Sequence, residues 1–592
     1  MLLPPFVLLD DARPGGAGAR LYEAPVRVVA AHTVAEVRPA LAALRAARRE
    51  GLHAAGWIGY EAGAALVARA PMPADDGSAA GPLLWFGLFE GWRTLPAEAV
   101  PALLGDPAGA RALAPRPLIE RADYDRRLAR VLELIAAGDL YQANLTFQAE
   151  VDIVGPAIAL YARLRQASAA AHGALVDTGE RQLLSLSPEL FVSLAGDRLA
   201  CRPMKGTAPR GTVPEEDRAL AAALAADAKQ RAENLMIVDL MRNDLARIAA
   251  PGSVAVPALF TVECYPTVHQ MTSSITATLA PGRDAIDMVE ALFPCGSVTG
   301  APKTRAMQVI AEVEEMPRGA YCGAVGRLDA DGDAAFNVAI RTITVAGGRA
   351  VMGLGSGIVA DSRADDEWAE CQAKAAFVTA GQRPADLIET MAFDPESGFV
   401  LLERHLARLK ASAATLGMRF DRHAARNELQ AATFRLRGPA RVRLVLGASG
   451  AVAIEVTPPP APLAEPVAVA VVPLPVDPRD WRLRHKTSDR RFYDAARTAA
   501  GTAEVVFERA DGRLTEGSFT SLFVEDADGR LLTPPLVDGL LPGVLRAQLV
   551  EEGRAVEASL TRADLADGFL LGNALRGLFR ARLAVAPGGE RR

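Results

Sequence analysis

Arg202-Pro203-Met204-Lys205-Gly206-Thr207 is the stretch on which the reading of this chain turns, with Lys205 at its centre. Only six lysines occur in 592 residues (Lys205, Lys229, Lys303, Lys374, Lys410 and Lys486), because arginine carries nearly all of the cationic surface. An arginine stays protonated and is no nucleophile. A lysine in a desolvated pocket can lose its proton and attack an electrophile. A chain that has nearly given up lysine keeps it where arginine cannot serve. Lys229 and Lys410 are taken as chance survivors of the compositional bias; the residues around Lys205 and Lys486 set those two apart.

Strands are predicted over Gln182–Ser187 and Arg198–Pro203. Glu189 follows the first and Lys205 the second, so an acid and an amine stand at the ends of neighbouring strands, suited to general acid/base and nucleophilic work. Unaided, such a pair is commonplace. A helix is predicted over Ala226–Leu245, holding Glu233. The loop Phe293–Lys303, with Thr299, precedes another helix; small residues and a hydroxyl there let backbone N–H groups approach an anion. Asn337–Thr342 reads as a strand whose Arg341 either grips a carboxylate in two-point fashion or is a plain exposed arginine. Glu367 and Glu370, three apart, share one helix face. With Glu233 they offer a hard dication such as Mg²⁺ its oxygen ligands, a solvated acidic face being the alternative.

The N-terminal residues 1–115 alternate apolar runs with Gly/Pro breaks. Thr33 and Glu36 form a capping box for a helix over Val34–Arg49, with Pro39 inside it. Residues 122–138 form a further helix, and Leu140–Thr146 enters a strand. The alanine-rich tracts 161–172 and 219–228 read as surface helices. The length calls for two or more domains. Half the residues are apolar, the net charge is −6, and no basic patch argues for nucleic acid. The five cysteines fit no metal-ligand spacing and read as reduced cytosolic thiols. The N-terminus lacks the basic region of a signal peptide, and no apolar run is long enough to span a bilayer. A soluble, cytoplasmic α+β protein is expected.

Together the strings over 120–380, and more weakly 1–119, resemble the chorismate-utilising enzymes, a family that includes the first components of anthranilate and aminodeoxychorismate synthases. The resemblance implies an α/β sandwich of large antiparallel sheets. It implies Mg²⁺ on Glu233, Glu367 and Glu370. It implies that Tyr321, Arg341 and the Gly357 backbone hold the enolpyruvyl carboxylate, Thr299 lies in the substrate loop, and Thr207 and His269 line the ring. Gln230 departs from the glutamate common in the anthranilate branch. That branch usually has alanine at position 205, whereas aminodeoxychorismate synthases have lysine. Lysine at C2 of chorismate, with loss of the C4 hydroxyl, directs ammonia to C4; Glu189 is the implied acid/base. The cysteines form no glutaminase nucleophile elbow, so ammonia is expected from solution or from a separate glutaminase subunit.

Beyond a linker at 381–386, residues 387–592 change character, with subdomains of about 387–457 and 467–592 flanking the stiff Thr457–Pro462 spacer. Strands are predicted at Leu387–Met391, Phe399–Leu402, Arg441–Val445 and Val452–Val456, and a helix over Glu403–Leu409. Arg484-His485-Lys486-Thr487-Ser488, Thr515-Glu516-Gly517-Ser518 and Leu540–Arg546 supply a lysine, a carboxylate and a Gly-containing helix start. These are the parts of a pyridoxal phosphate site: imine former, pyridine-nitrogen partner and phosphate cradle. In this order they resemble the two-subdomain class IV aminotransferase fold (pyridoxal phosphate fold type IV), which implies Lys486 as the Schiff-base lysine, Glu516 on the ring nitrogen, and Arg408 with the Val544 and Leu545 amides on the phosphate. Thr390 sits, with a one-residue shift, where lyase members carry a proton-donating threonine, and Ser521 replaces a common asparagine. The short start of this segment implies that it leans on the first domain or on a homodimer partner.

The expected function is therefore amination of chorismate to 4-amino-4-deoxychorismate, then pyruvate elimination to 4-aminobenzoate, a folate precursor. Two other readings stay open: an anthranilate-type synthase fused to an amino-acid aminotransferase, and a non-catalytic chorismate sensor.

Overall fold

The computed structural model describes residues 2–71, 81–265 and 268–584; Met1 and the end of the expected C-terminal domain, 585–592, lie outside them. The chain forms two compact units: 1–107, 114–153 and 157–381; and 108–113, 154–156 and 382–592.

The first unit is built on two ten-stranded sheets. One runs Gly300–Ala301, Gln142–Glu150, Arg349–Ile358, Thr342–Ala346, Arg181–Ser187, His172–Asp177, Phe6–Asp11, Gly18–Glu23, Arg93–Leu95, with Arg116–Pro117 also paired to Gln142–Glu150. The other runs Met204–Pro209, Val268–Thr278, Arg198–Arg202, Leu190–Ala195, Ala334–Asn337, Ala324–Leu328, His53–Ile58, Leu84–Phe89, Arg27–Ala31, with Ala255–Cys264 also paired to Val268–Thr278. Strands from both sides of residue 119 thus share each sheet. Val7, Tyr22, Ala174 and Leu183 of the first sheet pack with Ala55, Trp57, Trp85 and Val325 of the second, so apolar faces of both sheets are removed from water together. Trp57 and Trp85 stand opposite each other in register and stack with centroids 5.2 Å apart. The second sheet's other face is covered by helices, including Val34–Arg49, Ala228–Ala246 and Ala285–Leu292.

Local signals account for several boundaries. Glu36 accepts from the Thr33 N–H at 3.1 Å and closes the capping box of the helix Val34–Arg49, which carries Pro39 inside it. The helix expected over Ala226–Leu245 is Ala228–Ala246, capped by Asp227 through the Gln230 N–H. The alanine-rich 161–172 is not helical throughout: the helix Ala157–Ser168 stops at Ala169, which takes a left-handed φ of 44°, and a strand opens at His172. The strand expected over Asn337–Thr342 is interrupted. It ends at Asn337, the chain crosses to the other sheet, and Arg341 at the crossing has a φ of 49°.

The second unit holds a four-stranded antiparallel sheet (Gly398–Phe399, Leu387–Asp394, Ala440–Leu446, Val452–Thr457) covered by helices Leu402–Thr415 and Arg422–Thr433. The strand expected at Phe399–Leu402 shrinks to two residues because Leu401 is left-handed and the helix starts at Leu402. An eight-stranded mixed sheet follows. Six of its strands (Leu514–Gly517, Glu504–Glu508, Val467–Pro473, Gly577–Leu583, Phe569–Asn573 and Ser521–Glu525) close on themselves. Closure removes the free edges of that ring.

Candidate active sites

In the first unit the strand ends meet around a cavity of about 480 Å³ lined by Glu189, Lys205, Thr207, Glu233, Tyr321, Arg341, Gly357, Glu367 and Glu370, within the size range of small-ligand sites. Nine residues singled out from sequence are thereby brought together. Two are not. His269 faces away, because side chains alternate along Val268–Thr278 and it is Val268 and Gln270 that line the cavity. Thr299 is fully buried, its hydroxyl donating to the Cys295 and Gly296 carbonyls at 3.1 and 3.2 Å.

Lys205 is held from three sides. The Asn234 amide donates to its carbonyl at 3.1 Å, and the Gln270 amide donates to the Gly206 carbonyl at 2.8 Å while accepting from the Thr207 hydroxyl at 2.9 Å. The Lys205 Nζ lies 3.2 Å from Glu233 Oε2. It also comes so close to Gly357 that a Cβ there would sit 3.1 Å from it. Burial pushes the Glu189 carboxyl up to about 7 against the pull of Ser297, the Met204 N–H and Lys205. Its Oε1 is buried and has no hydrogen-bond partner among the described residues, a group free to carry or release a proton. The sequence reading missed Asn144, Ser297, Gln270 and Lys374 at this cavity.

The three carboxylates offer only oxygen donors, the type Mg²⁺ takes. Each is engaged within the chain: Glu233 by Lys205, Glu370 by Lys374 at 2.6 Å, and Glu367 by the Ser362 hydroxyl at 2.6 Å. Among the described residues no group of three or more His, Cys, Asp or Glu forms a metal cage by itself. Mg²⁺ commonly takes one or two carboxylates and completes its shell with other oxygens and water, so the donor set fits that ion.

Tyr321 rests on Gly353: a Cβ there would meet the ring at 1.9 Å. Gly353→Ala is expected to displace the ring, raise KM for the cavity's ligand, and cost about 1–3 kcal/mol in urea unfolding, as overpacking does.

The second unit holds a cavity of about 500 Å³ lined by Thr390, Arg408, Lys486, Glu516, Val544 and Leu545, all of the residues expected there. Lys486 is anchored by its carbonyl, which accepts from the Ile388 N–H at 2.8 Å, and by a bridge between Leu387 and Thr487. Burial pulls its amine down to about 7, with Glu389 opposing and Arg408, Arg490 and Arg443 assisting. Burial pushes Glu516 up to about 7 although the Tyr493 hydroxyl donates to it at 2.6 Å. Glu504, fully buried behind it, accepts from the Ser518 and Phe519 N–H groups and from the Ser518 and Thr520 hydroxyls, fixing the loop after Glu516.

Arg408 differs from a free phosphate ligand. Its Nε and Nη2 donate to Glu389 at 2.8 and 2.7 Å, and Nη1 donates to the Pro542 carbonyl at 3.0 Å. Despite its burial, Glu389 is held down to about 2 by Arg408 and His405. The guanidinium is thereby aimed at the Gly543–Leu545 helix start. Gly543 itself leaves no room for a Cβ, which would meet Ser521 Oγ at 2.5 Å. A buried near-neutral lysine, a buried carboxyl and a helix start beside an arginine fit pyridoxal phosphate.

No helix among the described residues is long and apolar enough to cross a membrane. Residues 5–380 match the profile of the chorismate binding enzymes and residues 386–584 that of the class IV amino-transferases, a family that implies pyridoxal phosphate. Aminodeoxychorismate synthase component 1 of Salmonella typhimurium is 44% identical over 250 residues, 42% of this chain and 55% of that one. The aminodeoxychorismate synthase of Streptomyces griseus is 46% identical over 258 residues, 43% of this chain and 36% of that one. The chain spans about half the length, or less, of these curated relatives. The crystal structure of anthranilate synthase component I from Streptococcus pneumoniae TIGR4 superposes with a TM-score of 0.53 at 27% identity, covering 64% of this chain and 93% of that one. The chain belongs to the family of chorismate binding enzymes and carries, behind its chorismate-binding segment, one of class IV amino-transferase type.

Proposed function

We propose that this chain makes 4-aminobenzoate from chorismate in two steps, one in each unit. The observation that carries the reading is the pairing, in one cavity, of the Lys205 amine with a Glu189 carboxyl that titrates near neutrality.

In the first unit Arg341 and Tyr321 bind the enolpyruvyl carboxylate, and Glu233, Glu367 and Glu370 would hold Mg²⁺, which would supply charge neutralisation. Lys205 reacts through its unprotonated amine. The amine adds at C2, both ring double bonds shift along the conjugated diene, and the C4–O bond breaks as Glu189 protonates the departing hydroxyl. Ammonia then adds at C4, both double bonds return, the C2–N bond to Lys205 breaks, and the surplus ammonium proton returns to Glu189. Chorismate plus ammonia thus gives 4-amino-4-deoxychorismate plus water. Ammonia comes from solution or from a separate glutaminase subunit, as the "component 1" names of relatives suggest for this chain.

In the second unit Lys486 would hold pyridoxal phosphate, with Glu516 on its ring nitrogen and Arg408 and the Val544 and Leu545 amides on its phosphate. The bound cofactor supplies an electron sink for loss of a proton beside the substrate nitrogen. Lys486 would take that proton, and Thr390, which lines the same cavity, would deliver one to the departing enolpyruvate as the ring aromatises. The dependence of the second step on the first favours a lyase over a free-standing aminotransferase.

Incubation with chorismate, Mg²⁺ and ammonium without pyridoxal phosphate tests the first step. The C4-aminated product supports it; anthranilate, aminated at C2, overturns it. Because Glu189 must be protonated to release the hydroxyl, the amination rate is expected to fall as pH rises through about 7. Glu189→Gln should cost on the order of 10²–10⁴-fold and remove that limb of the pH profile.

A further inference from the structure

Outside the lining of both cavities, three side chains form a relay that neither proposed reaction uses. Cys264 ends the strand Ala255–Cys264 and stands in register opposite His269 on Val268–Thr278. Its Sγ lies 3.3 Å from His269 Nδ1, and His269 Nε2 lies 2.8 Å from Asp217 Oδ1. Asp217 is gripped at both oxygens by Arg210 at 2.7 Å and by the Gly211 N–H at 2.8 Å. Arg210, then Gly211, hold its carboxyl well below the usual carboxylate range. An ionised carboxylate only accepts, so the imidazole proton sits on Nε2 and Nδ1 presents its lone pair to the thiol. Arg210 also donates to the Tyr265 carbonyl at 2.7 Å, which places a fixed positive charge beside the sulfur. His269 is 1% exposed, whereas Cys264 faces solvent; Cys201, Cys295, Cys322 and Cys371 are buried.

We propose that Cys264 is a modification site, a solvent-facing thiol activated by His269 and Asp217 that exchanges with low-molecular-weight disulfides. His269 Nδ1 takes the thiol proton, Cys264 Sγ attacks one sulfur of the disulfide, the S–S bond breaks, and the other half leaves as its thiolate. The cysteine is oxidised to a mixed disulfide and the released half is reduced, so electrons balance without a further reagent. The adduct sits on the hairpin that carries Gln270, and therefore beside the clamp on Gly206 and Thr207.

The test is stopped-flow reaction of the native full chain, without substrate, with dithiobis(nitrobenzoate), whose released thiolate is coloured. A single fast equivalent is expected, absent in Cys264→Ser. At neutral pH it should react at least about tenfold faster than N-acetylcysteine, and His269→Gln should slow it by on the order of 10²-fold, the lower end of what a positioned general base supplies. Should His269→Gln fail to fold, Asp217→Asn is expected to slow the same equivalent. A Cys264 rate no faster than N-acetylcysteine, or one unchanged in a folded His269→Gln or Asp217→Asn chain, overturns the proposal.

Discussion

Lys205→Ala is expected to abolish 4-aminobenzoate formation from chorismate, by roughly 10⁴-fold or more, the scale seen when a covalent nucleophile is removed. The same variant, given 4-amino-4-deoxychorismate, should still release 4-aminobenzoate and pyruvate, because Lys486 lies in the other unit with its own cavity. Lys205→Arg separates charge from nucleophilicity. A guanidinium can keep the ion pair with Glu233, but it cannot add to C2 and then leave. Loss of activity in both variants, read by chromatography of timed reactions, supports the covalent role. Substantial activity in Lys205→Arg would reduce Lys205 to an electrostatic contact.

Lys486→Ala is expected to block the second half with comparable severity and a different signature. Chorismate consumption continues, 4-amino-4-deoxychorismate accumulates, and pyruvate fails to appear. The visible absorption band of cofactor bound through a lysine should also be missing. Because burial draws the Lys486 amine down to about 7, more of it is neutral as pH rises through that value. Capture of pyridoxal phosphate by the cofactor-free chain should therefore accelerate over that interval, a dependence absent from the alanine variant.

Much of this was legible in sequence because the informative residues are locally redundant. Thr33 and Glu36 mark a helix start by their spacing alone, and strand alternation brings Ile388 and Thr390 onto one face of the cavity. Motif resemblance carried the nine cleft residues. What failed did so where a single residue changes the outcome. His269 and Gln270 are adjacent, and along a strand one step exchanges the cavity face for the opposite one. Arg341 reads as a strand residue, yet it stands where the chain leaves one sheet for the other at a positive φ, a conformation no composition signals. Glu389, His405 and Glu504 are separated in sequence from what they support. Only the fold shows that Glu389 holds Arg408 and that Glu504 holds the loop behind Glu516. The sharing of each sheet by strands from both sides of residue 119 is a long-range pairing of the same kind.

The most direct measurement is a product assay on the purified full chain with chorismate, Mg²⁺, ammonium and pyridoxal phosphate, resolved by chromatography. 4-Aminobenzoate and pyruvate are expected in equal amounts, with 4-amino-4-deoxychorismate passing through as an intermediate. Anthranilate as the aminated product, or chorismate returned unchanged under these conditions, would contradict the proposed function.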